Sequence, residues 1–275
     1  MKIELKGVTK TYSSKNALDL VTTNFETGHI YGLLGRNGAG KSTMIKLCTN
    51  MIYPTAGIIE ADGRSLGSDP SLKRNVFAIG EENPFVSGDK VNLIFRQAEQ
   101  YSGADRLEMG RLADSFELPL KKSWEKLSTG YRTIFKDILA LTSPARFVFF
   151  DEPILGLDAA HRELFYTLLL ERFTPDRCFV ISTHLIEEVA SLLDSVKLIH
   201  KGKLIVDEDK DKLLQNIRKV TVTSLELDSV TGSYEILSKT ESLGKITMTV
   251  RGEVNAPDGC VSHADLQDAF IALAR

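Results

Sequence analysis

The segment GRNGAGKS, residues 35–42, restricts what this chain can fold into more than any other feature. It follows HIYGLL, a short apolar run typical of a buried strand, and precedes a helical pattern from Lys41 to about Met51. A strand, a glycine-rich loop of pattern G-x-x-x-x-G-K-[ST] and a helix form the context of a phosphate-binding loop. The alternative is a flexible turn with a solvated lysine, which accounts less well for the flanking elements.

Each residue type in this loop suits a phosphate group. Gly38 and Gly40 allow backbone N–H groups to approach phosphate oxygens with no Cβ in the way. The following helix adds the positive end of its dipole. Lys41 would reach the β- and γ-phosphates as a point charge, and the Ser42 hydroxyl would be a ligand of Mg²⁺.

Two acids and a histidine follow apolar runs further along the chain. FVFFDEP predicts a strand buried on both faces that ends at Asp151 and Glu152. Asp151 would hold the Mg²⁺ shell, and Glu152 is a reasonable general base for water. A helix N-cap or a salt bridge is the structural alternative for the two acids. His184 ends the strand VISTH, and on its own such a histidine is usually a packed or capping residue.

The stretch KLSTGYRT, residues 126–133, lies between the glycine-rich loop and FVFFDEP. Ser128 can cap a helix N-terminus, and Gly130 keeps the backbone approachable. Thr129 adds a Cβ, and Tyr131 adds a single O–H donor. The stretch is therefore either an anion-binding helix start, a decayed form of one, or an ordinary helix cap.

The order of patterns predicts an α/β protein with two parts. Residues 1–212 combine N-terminal strands (3–8 and 17–25), a mostly helical insert at about 83–143, and a hairpin that turns at Lys201-Gly202. LIEEVASLLDSV, just before that hairpin, predicts a helix. Residues 213–275 alternate with period two and end in a short helix, whose apolar face would carry Leu266, Phe270 and Leu273. The alternation predicts a small, strand-rich tail.

Bulk properties exclude several classes of protein. A formal net charge of -3 gives no overall electrostatic footprint for nucleic acid or anionic lipid. Cys48, Cys178 and Cys260 are isolated, which favours buried core residues over a zinc site or a disulfide framework. The N-terminus is typical of a strand and not of a signal peptide, and no run of about 18 apolar residues occurs. A role at a membrane is therefore expected to come through a partner.

Taken together, these residues resemble the ATP-binding cassette (ABC) family of transporter ATPase subunits over about residues 2–210. The motifs that carry the resemblance are, in chain order, GRNGAGKST (Walker A), KLSTGYRT (signature), FVFFDEP (Walker B), LGLD at 155–158 (D-loop) and STH at 182–184 (switch histidine). The resemblance implies a P-loop NTPase core with N-terminal antiparallel strands and a helical signature subdomain.

The resemblance also implies a role for each matching residue. The ATP phosphates would lie against Gly35, Arg36, Asn37, Gly38, Ala39, Gly40, Lys41, Ser42 and Thr43. Tyr12 would stack on adenine, Glu152 would polarise the attacking water, and His184 would touch the γ-phosphate. The signature segment would contact ATP that is held by a second cassette, and Asp158 would also contact that second cassette. We define the signature segment as Leu127, Ser128, Thr129, Gly130 and Tyr131.

The sequence departs from the family at three positions. Glu81 stands where the family usually has a glutamine, and it would join Ser42 and Asp151 at the metal with an extra charge. A solvated loop acid is the alternative for Glu81. Thr129 replaces a glycine of the signature, and Tyr131 replaces a glutamine.

The expected protein is therefore an ATP-hydrolysing subunit of a membrane transporter of the exporter type. It would work as a homodimer or with another cassette, use ATP and Mg²⁺, and sit on the cytoplasmic face of the cell membrane through a separate transmembrane permease. A soluble non-transport ABC ATPase and a nucleotide-sensing regulatory cassette are the alternatives.

Overall fold

The computed structural model describes residues 1–80, 85–86 and 88–274, so the predicted ligand Glu81 lies outside the described residues. The strands are β1 (Lys2–Tyr12), β2 (Lys15–Glu26), β3 (His29–Leu34), β4 (Ala56–Ala61), β5 (Arg64–Ser65), β6 (Val76–Ile79), β7 (Phe147–Asp151), β8 (Cys178–Thr183), β9 (Ser195–His200), β10 (Lys203–Asp209), β11 (Ile217–Thr223), β12 (Thr231–Ser242), β13 (Lys245–Asn255) and β14 (Val261–His263). The α-helices are α1 (Lys41–Cys48), α2 (Pro70–Lys73), α3 (Val91–Ser102), α4 (Arg106–Ser115), α5 (Thr129–Leu141), α6 (Ala159–Arg172), α7 (Ile186–Val189), α8 (Lys210–Gln215) and α9 (Leu266–Leu273).

A six-stranded sheet of order β10-β9-β3-β8-β7-β6 forms the centre of the molecule. The strands from β9 to β6 run parallel, and β10 returns antiparallel through the predicted turn at Lys201-Gly202. All six residues of β8 are buried, and so are the four phenylalanine and valine residues of β7, because apolar side chains cover both faces of a parallel sheet. The parallel register places Asp151 beside Ser182, so the carboxyl ends of these strands meet at one edge.

A second sheet, of order β2-β1-β4-β5, is antiparallel and comes mostly from the N-terminus. Its first two strands extend beyond the predicted ranges 3–8 and 17–25. Register shifts between β1 and β2 near Val8 and Lys10 let the pairing continue past the point where the alternation of apolar residues fails. The hairpin between them carries Tyr12 at its tip.

Lys197 of β9 joins this second sheet to the central one, although it is buried. Its ammonium group donates hydrogen bonds to the Asp207 carboxylate and, over 2.9 Å, to the Thr23 hydroxyl. It also lies 5.1 Å from the ring centroid of Phe25 and 4.9 Å from that of Tyr31. Burial lowers the pKa of Lys197, and the hydrogen bond to Asp207 opposes that change.

The helical insert was predicted correctly as α3, α4 and α5, with a 3₁₀ turn at Trp124–Lys126 before α5. Aromatic rings hold it together: the Trp124 centroid lies 5.0 Å from that of Phe85 and 5.2 Å from that of Phe135, and Phe135 stacks on Phe95 at 5.3 Å. These rings fix the position from which α5 starts.

The helix predicted for LIEEVASLLDSV is wrong in its second half. Only Ile186–Val189 is α-helical, and after a 3₁₀ turn the chain enters β9 at Ser195. The helix ends early because Asp194 makes two hydrogen bonds with Ile30 of β3. Asp194 N donates to Ile30 O over 2.9 Å, and Asp194 Oδ2 accepts from Ile30 N over 2.8 Å. These bonds favour extended backbone over a further helical turn.

The tail forms the predicted strand-rich unit, an antiparallel sheet of order β12-β13-β11-β14 with a small apolar core around Val220, Met248 and Val250. Its last helix, α9, packs against α7 and α8 of the main body. Leu266 is buried there, and Phe270 and Leu273 are partly buried against the same apolar cluster. Helix α8 crosses the boundary drawn at 212/213, which stays a prediction.

In the part of the chain that the structure describes, no helix combines the length and the apolar composition needed to cross a bilayer. Cys48 and Cys178 are buried, and Cys260 is half-buried.

Candidate active site

The loop after β3 leads directly into α1. Lys41 is buried, and its ammonium group donates to the carbonyl oxygen of Gly35 over 2.7 Å, which holds the lysine across its own loop. The N-cap of α1 is Gly40, and no side chain caps this end. The amides of the first turn are therefore available to an anion.

Gly40 is required for two independent reasons. Its φ of +121° belongs to a region that residues with a side chain rarely adopt. In addition, a Cβ there would lie 2.5 Å from the carbonyl oxygen of Ala17, so the loop packs directly on the hairpin of β1 and β2. Any larger residue would move the loop away from that hairpin.

Asp151 is the last residue of β7, Glu152 follows it, and both are held by hydrogen bonds to β8. The Ser182 hydroxyl donates to Asp151 Oδ1 over 2.8 Å, and Glu152 N donates to the carbonyl oxygen of Ser182 over 2.8 Å. Glu152 has a φ of +54°, a left-handed conformation that costs about 1–3 kcal/mol for a residue with a side chain. Such strain persists only where the surroundings enforce it, which is characteristic of functional sites.

The Glu152 carboxylate lies among three polar partners. Its Oε1 lies 2.9 Å from His184 Nδ1 and 3.7 Å from Lys41 Nζ, and its Oε2 accepts from the Thr183 hydroxyl over 3.1 Å. The carboxylate side chain is 11% exposed, whereas the histidine is 38% exposed and faces the cleft. This arrangement could present a fixed acceptor to a water molecule, beside the lysine that was predicted to reach the phosphates.

These groups line one cleft of about 530 Å³, which we call the nucleotide cleft. Its walls are formed by Ala17, Arg36, Asn37, Gly38, Ala39, Gly40, Lys41, Ser42, Thr43, Asp151, Glu152, Leu155 and His184. The structure thus brings together most of the predicted phosphate-loop, Walker B and switch residues. Gly35 takes part through its carbonyl group.

The donors in the nucleotide cleft suit Mg²⁺. The Ser42 hydroxyl and the Asp151 carboxylate both line the cleft, and both carry hard oxygen atoms that could hold the ion. Mg²⁺ in proteins typically takes one or two such groups together with phosphate oxygens and waters.

Tyr12 and Asp158 do not line the nucleotide cleft. Tyr12 is exposed on the hairpin that contributes Ala17 to the cleft, and Lys10 Nζ lies 5.3 Å from its ring centroid. Asp158 caps α6 by accepting from His161 N over 2.9 Å, and His161 Nδ1 lies 2.9 Å from the same oxygen. These bonds, the backbone one first, lower the pKa of the Asp158 carboxyl.

The signature segment lies outside the cleft as well. Ser128 caps α5 by accepting from Tyr131 N over 3.3 Å. The backbone at Gly130 lies so close to Gly156 that a Cβ on Gly130 would be 2.6 Å from the Gly156 carbonyl oxygen. The Thr133 hydroxyl donates to the Leu155 carbonyl oxygen over 2.8 Å. The start of α5 is therefore fixed against the loop that follows Glu152.

Sequence analysis missed Ser182 and Thr183, the two hydroxyl groups that orient Asp151 and Glu152. The signal was present, because a polar pair ends the otherwise apolar strand CFVIST. It acquires meaning only once β8 is known to lie beside β7.

The site combines a phosphate loop between a strand and a helix with an acidic pair and a histidine at the ends of two neighbouring strands. These features define a P-loop nucleoside triphosphatase, and the helical insert is typical of an ATP-binding cassette. Residues 18–155 match the family model described as ABC transporter, which is about half of the chain, and the chain belongs to this family.

Relatives whose names state a function agree with this assignment. Bacitracin transport ATP-binding protein BcrA of Bacillus licheniformis is 32% identical over 79% of this chain and 72% of its own length. Nod factor export ATP-binding protein I of Sinorhizobium fredii is 28% identical over 84% of this chain and 71% of its own length. A solved structure of an ATP-binding subunit of an ABC transporter superposes with a TM-score of 0.70, at 25% identity, over 78% of this chain and 92% of that one.

The predictions of an ABC cassette fold and of an ATP-hydrolysing transporter subunit are thus confirmed. The chain binds ATP and is an ATPase of an ABC transporter, and nothing in these relatives favours the non-transport alternative.

Proposed function

We propose that this chain is the ATPase subunit of an exporter in which two cassettes close over ATP and drive a separate transmembrane subunit. The observation that carries the proposal is the separation of two half-sites. The nucleotide cleft holds Lys41, Glu152 and His184, whereas the signature segment starts a helix outside that cleft. A second cassette is needed to bring a signature segment to each bound ATP.

Within the cleft, hydrolysis requires positioning and charge stabilisation and no covalent intermediate. The amides of the phosphate loop and Lys41 bind the β- and γ-phosphates. Glu152 accepts a hydrogen bond from the attacking water and takes its proton as the water oxygen bonds to the γ-phosphorus and the bond to ADP breaks. His184 contacts the γ-phosphate. Ser42 and Asp151 would hold Mg²⁺, which would supply positive charge against the phosphate oxygens.

The unusual residues of the signature segment are compatible with a contact to ATP on the second cassette. A Cβ built on Gly156 would lie 3.3 Å from Thr129 Cγ2, so the extra methyl group packs against its own chain. Tyr131 packs partly against the apolar cluster of the insert, and its amide is satisfied by Ser128. Neither side chain therefore needs to occupy the space in front of the helix.

A dimerisation experiment tests this arrangement. Glu152→Gln should slow hydrolysis while keeping ATP binding, so that ATP and Mg²⁺ convert the purified variant from monomer to dimer in analytical ultracentrifugation. The double variant with Lys41→Ala should stay monomeric, because it lacks the ammonium group that binds the phosphates. If the Glu152→Gln protein binds ATP yet remains monomeric at high protein concentration, the two-cassette proposal is refuted.

Turnover tests the residue roles separately. Lys41→Ala should abolish tight phosphate binding and hydrolysis, since its ammonium group lies at the centre of the loop. Near-normal ATPase activity in this variant would remove the phosphate loop from the mechanism. Normal activity in Glu152→Gln would remove Glu152 from its role with water.

An apolar groove supports coupling to a transmembrane subunit at the cytoplasmic face of the membrane. It measures about 530 Å³, lies between the central sheet and the insert, and includes Met51, Phe77 and Tyr101. Its lining also includes Ser42 and Asp151, which line the nucleotide cleft. A helix of the transmembrane subunit that binds in this groove would lie directly against Ser42 and Asp151, the predicted metal ligands.

Co-purification from detergent-solubilised membranes tests the partner, and a polytopic protein is the expected result. Capture of ribosomes or DNA would instead favour a non-transport cassette. The direction of transport is inferred from the relative named for export. Reconstituted inside-out vesicles should accumulate cargo when ATP is added outside, whereas ATP-driven loss of cargo would indicate import.

A further inference from the structure

A second cavity lies beside the nucleotide cleft, between α5 and the turn that carries Glu152. We call it the rear chamber, and its volume is about 250 Å³. Its lining residues are Ile79, Trp124, Thr129, Arg132, Thr133, Lys136, Asp137, Asp151, Glu152, Pro153 and Leu155. Asp151 and Glu152 line the nucleotide cleft too, so the two cavities share a wall.

Asp137 is an unexpected residue for this wall. It is 3% exposed and lies on α5 among the buried apolar residues Ile134, Phe135 and Ile138. Within the described residues, its Oδ2 atom is buried and has no hydrogen-bond partner. Burial raises the pKa of this carboxyl well above its ordinary value, against a smaller opposing effect of the Lys136 charge. A neutral carboxyl group both donates and accepts hydrogen bonds.

Arg132, which precedes Asp137 on the same helix, also lines the rear chamber. Its Nη2 donates to the Glu125 carbonyl oxygen over 2.7 Å, and its guanidinium carbon lies 5.7 Å from the Trp124 ring centroid. Its Nε is buried and, like Asp137 Oδ2, lacks a partner in the described part of the chain. Buried polar atoms in native proteins are nearly always paired with protein or with water. A cavity of about 250 Å³ that is lined by a carboxyl side chain and a guanidinium side chain has room and polar partners for ordered water.

The opposite wall of the rear chamber is the turn from Asp151 to Leu155. On the β8 side this turn is held by Ser182 and Thr183. On the α5 side the Thr133 hydroxyl donates to the Leu155 carbonyl oxygen. Glu152 is in the strained left-handed conformation, so its orientation depends on support from both sides.

We propose that ordered waters fill the rear chamber, that Asp137 and Arg132 anchor them, and that they hold the turn carrying Glu152 in the orientation that hydrolysis requires. Asp137 is thus a positioning residue that acts through Glu152. The inference rests on the proposed role of Glu152. It implies that an acid in an apolar helix face is retained for catalysis and not for stability.

Two substitutions of Asp137 separate catalysis from stability. Asp137→Leu removes the anchor for water, and it also removes a buried carboxyl oxygen, Oδ2, that has no partner in the described residues. It should therefore raise Tm while lowering kcat about tenfold, with KM for ATP unchanged. Asp137→Asn is the matched control, because the amide keeps a donor and an acceptor in the same volume. It should retain at least about half of the wild-type kcat, as expected for a group that bonds water and does not ionise.

A purely structural role for Asp137 predicts the opposite pattern, in which Tm and kcat fall together in the leucine variant. Asp137→Leu with wild-type kcat, or Asp137→Asn as impaired as the leucine variant, would overturn the proposal. Trp124 lines the chamber and is the single tryptophan of the chain, so its fluorescence emission should shift to the blue in Asp137→Leu as water leaves. An unshifted emission would also count against it.

Arg132→Lys tests the other anchor and covers the case in which Asp137→Leu does not fold. Lysine keeps the charge and lacks the Nε–H group, so kcat should fall several-fold with KM for ATP unchanged. An unchanged kcat in this variant would contradict the proposal. The role of Glu152 and the role of the rear chamber can be refuted separately. If Glu152→Gln loses turnover while Asp137→Leu and Arg132→Lys keep the wild-type kcat, only the rear-chamber role is refuted.

Discussion

Replacing Gly130 by alanine should move the start of the signature helix by a calculable amount. The added Cβ would lie 2.6 Å from the Gly156 carbonyl oxygen, where ordinary contact begins at 3.4 Å, so the overlap is 3.4 − 2.6 = 0.8 Å. A backbone oxygen cannot rotate away as a side chain can, which puts the cost in the upper part of the range of about 1–3 kcal/mol for overpacking. The higher helix propensity of alanine relative to glycine offsets about 1 kcal/mol of this cost.

The net expectation for Gly130→Ala is a loss of about 1–2 kcal/mol of unfolding free energy, or a Tm lower by roughly 2–8 °C. Displacement of the helix by most of an ångström should also lower ATP turnover, while ATP binding to the isolated subunit stays unchanged.

Gly110→Ala is the matched control for this change. Gly110 lies inside α4, and a Cβ there would meet nothing within 4 Å. That variant should gain about 0.5–1 kcal/mol and keep full activity. Differential scanning fluorimetry and a steady-state ATPase assay suffice for both proteins. If Gly130→Ala melted at or above the wild-type Tm, as Gly110→Ala should, the close approach to Gly156 would not constrain the helix.

Other predictions concern buried charges and the adenine contact. Asp207→Ala removes the carboxylate that pairs with the buried Lys197 ammonium group. It should lower the free energy of unfolding by about 3 kcal/mol at pH 7, measured by urea denaturation. Because this further lowers the pKa of Lys197, stability should recover as pH rises toward the ordinary value of 10.5, whereas Lys197→Met should show neither effect. The pKa of Asp137 is raised in the folded state, so folded protein keeps a proton that the unfolded chain loses above about pH 3.8. The wild type should therefore lose stability as pH rises, whereas Asp137→Asn has no carboxyl group there and should not. The difference in Tm between the two proteins, measured from pH 4.5 to pH 7.5, checks this prediction. Tyr12→Ala should raise the Kd for ATP by about 5- to 150-fold, the equivalent of about 1–3 kcal/mol of stacking, whereas Tyr12→Phe should not.

The parts of the site that sequence predicted share one property. Lys41, Asp151 and His184 all follow buried apolar strands, and the carboxyl ends of parallel strands meet at one edge of a sheet. Local patterns therefore sufficed to bring them together.

The remaining features depend on contacts between distant segments. The helix after His184 ends early because Asp194 pairs with Ile30, 164 residues away in the chain. The left-handed conformation of Glu152 and the contact of Gly130 with Gly156 arise from packing between the insert and the turn after β7. No periodicity or spacing encodes such contacts. Asp137 illustrates the limit, since its helix has an ordinary amphipathic pattern that conceals a buried acid.

The docking of α9 has a consequence for any attempt to shorten this protein. Leu266 and Ala269 belong to the same apolar cluster as Ile186 and Val189, which come just after His184. Truncation at residue 212 would uncover that cluster and loosen the segment on which the histidine depends. A shortened cassette is thus expected to aggregate during expression instead of working as a smaller ATPase.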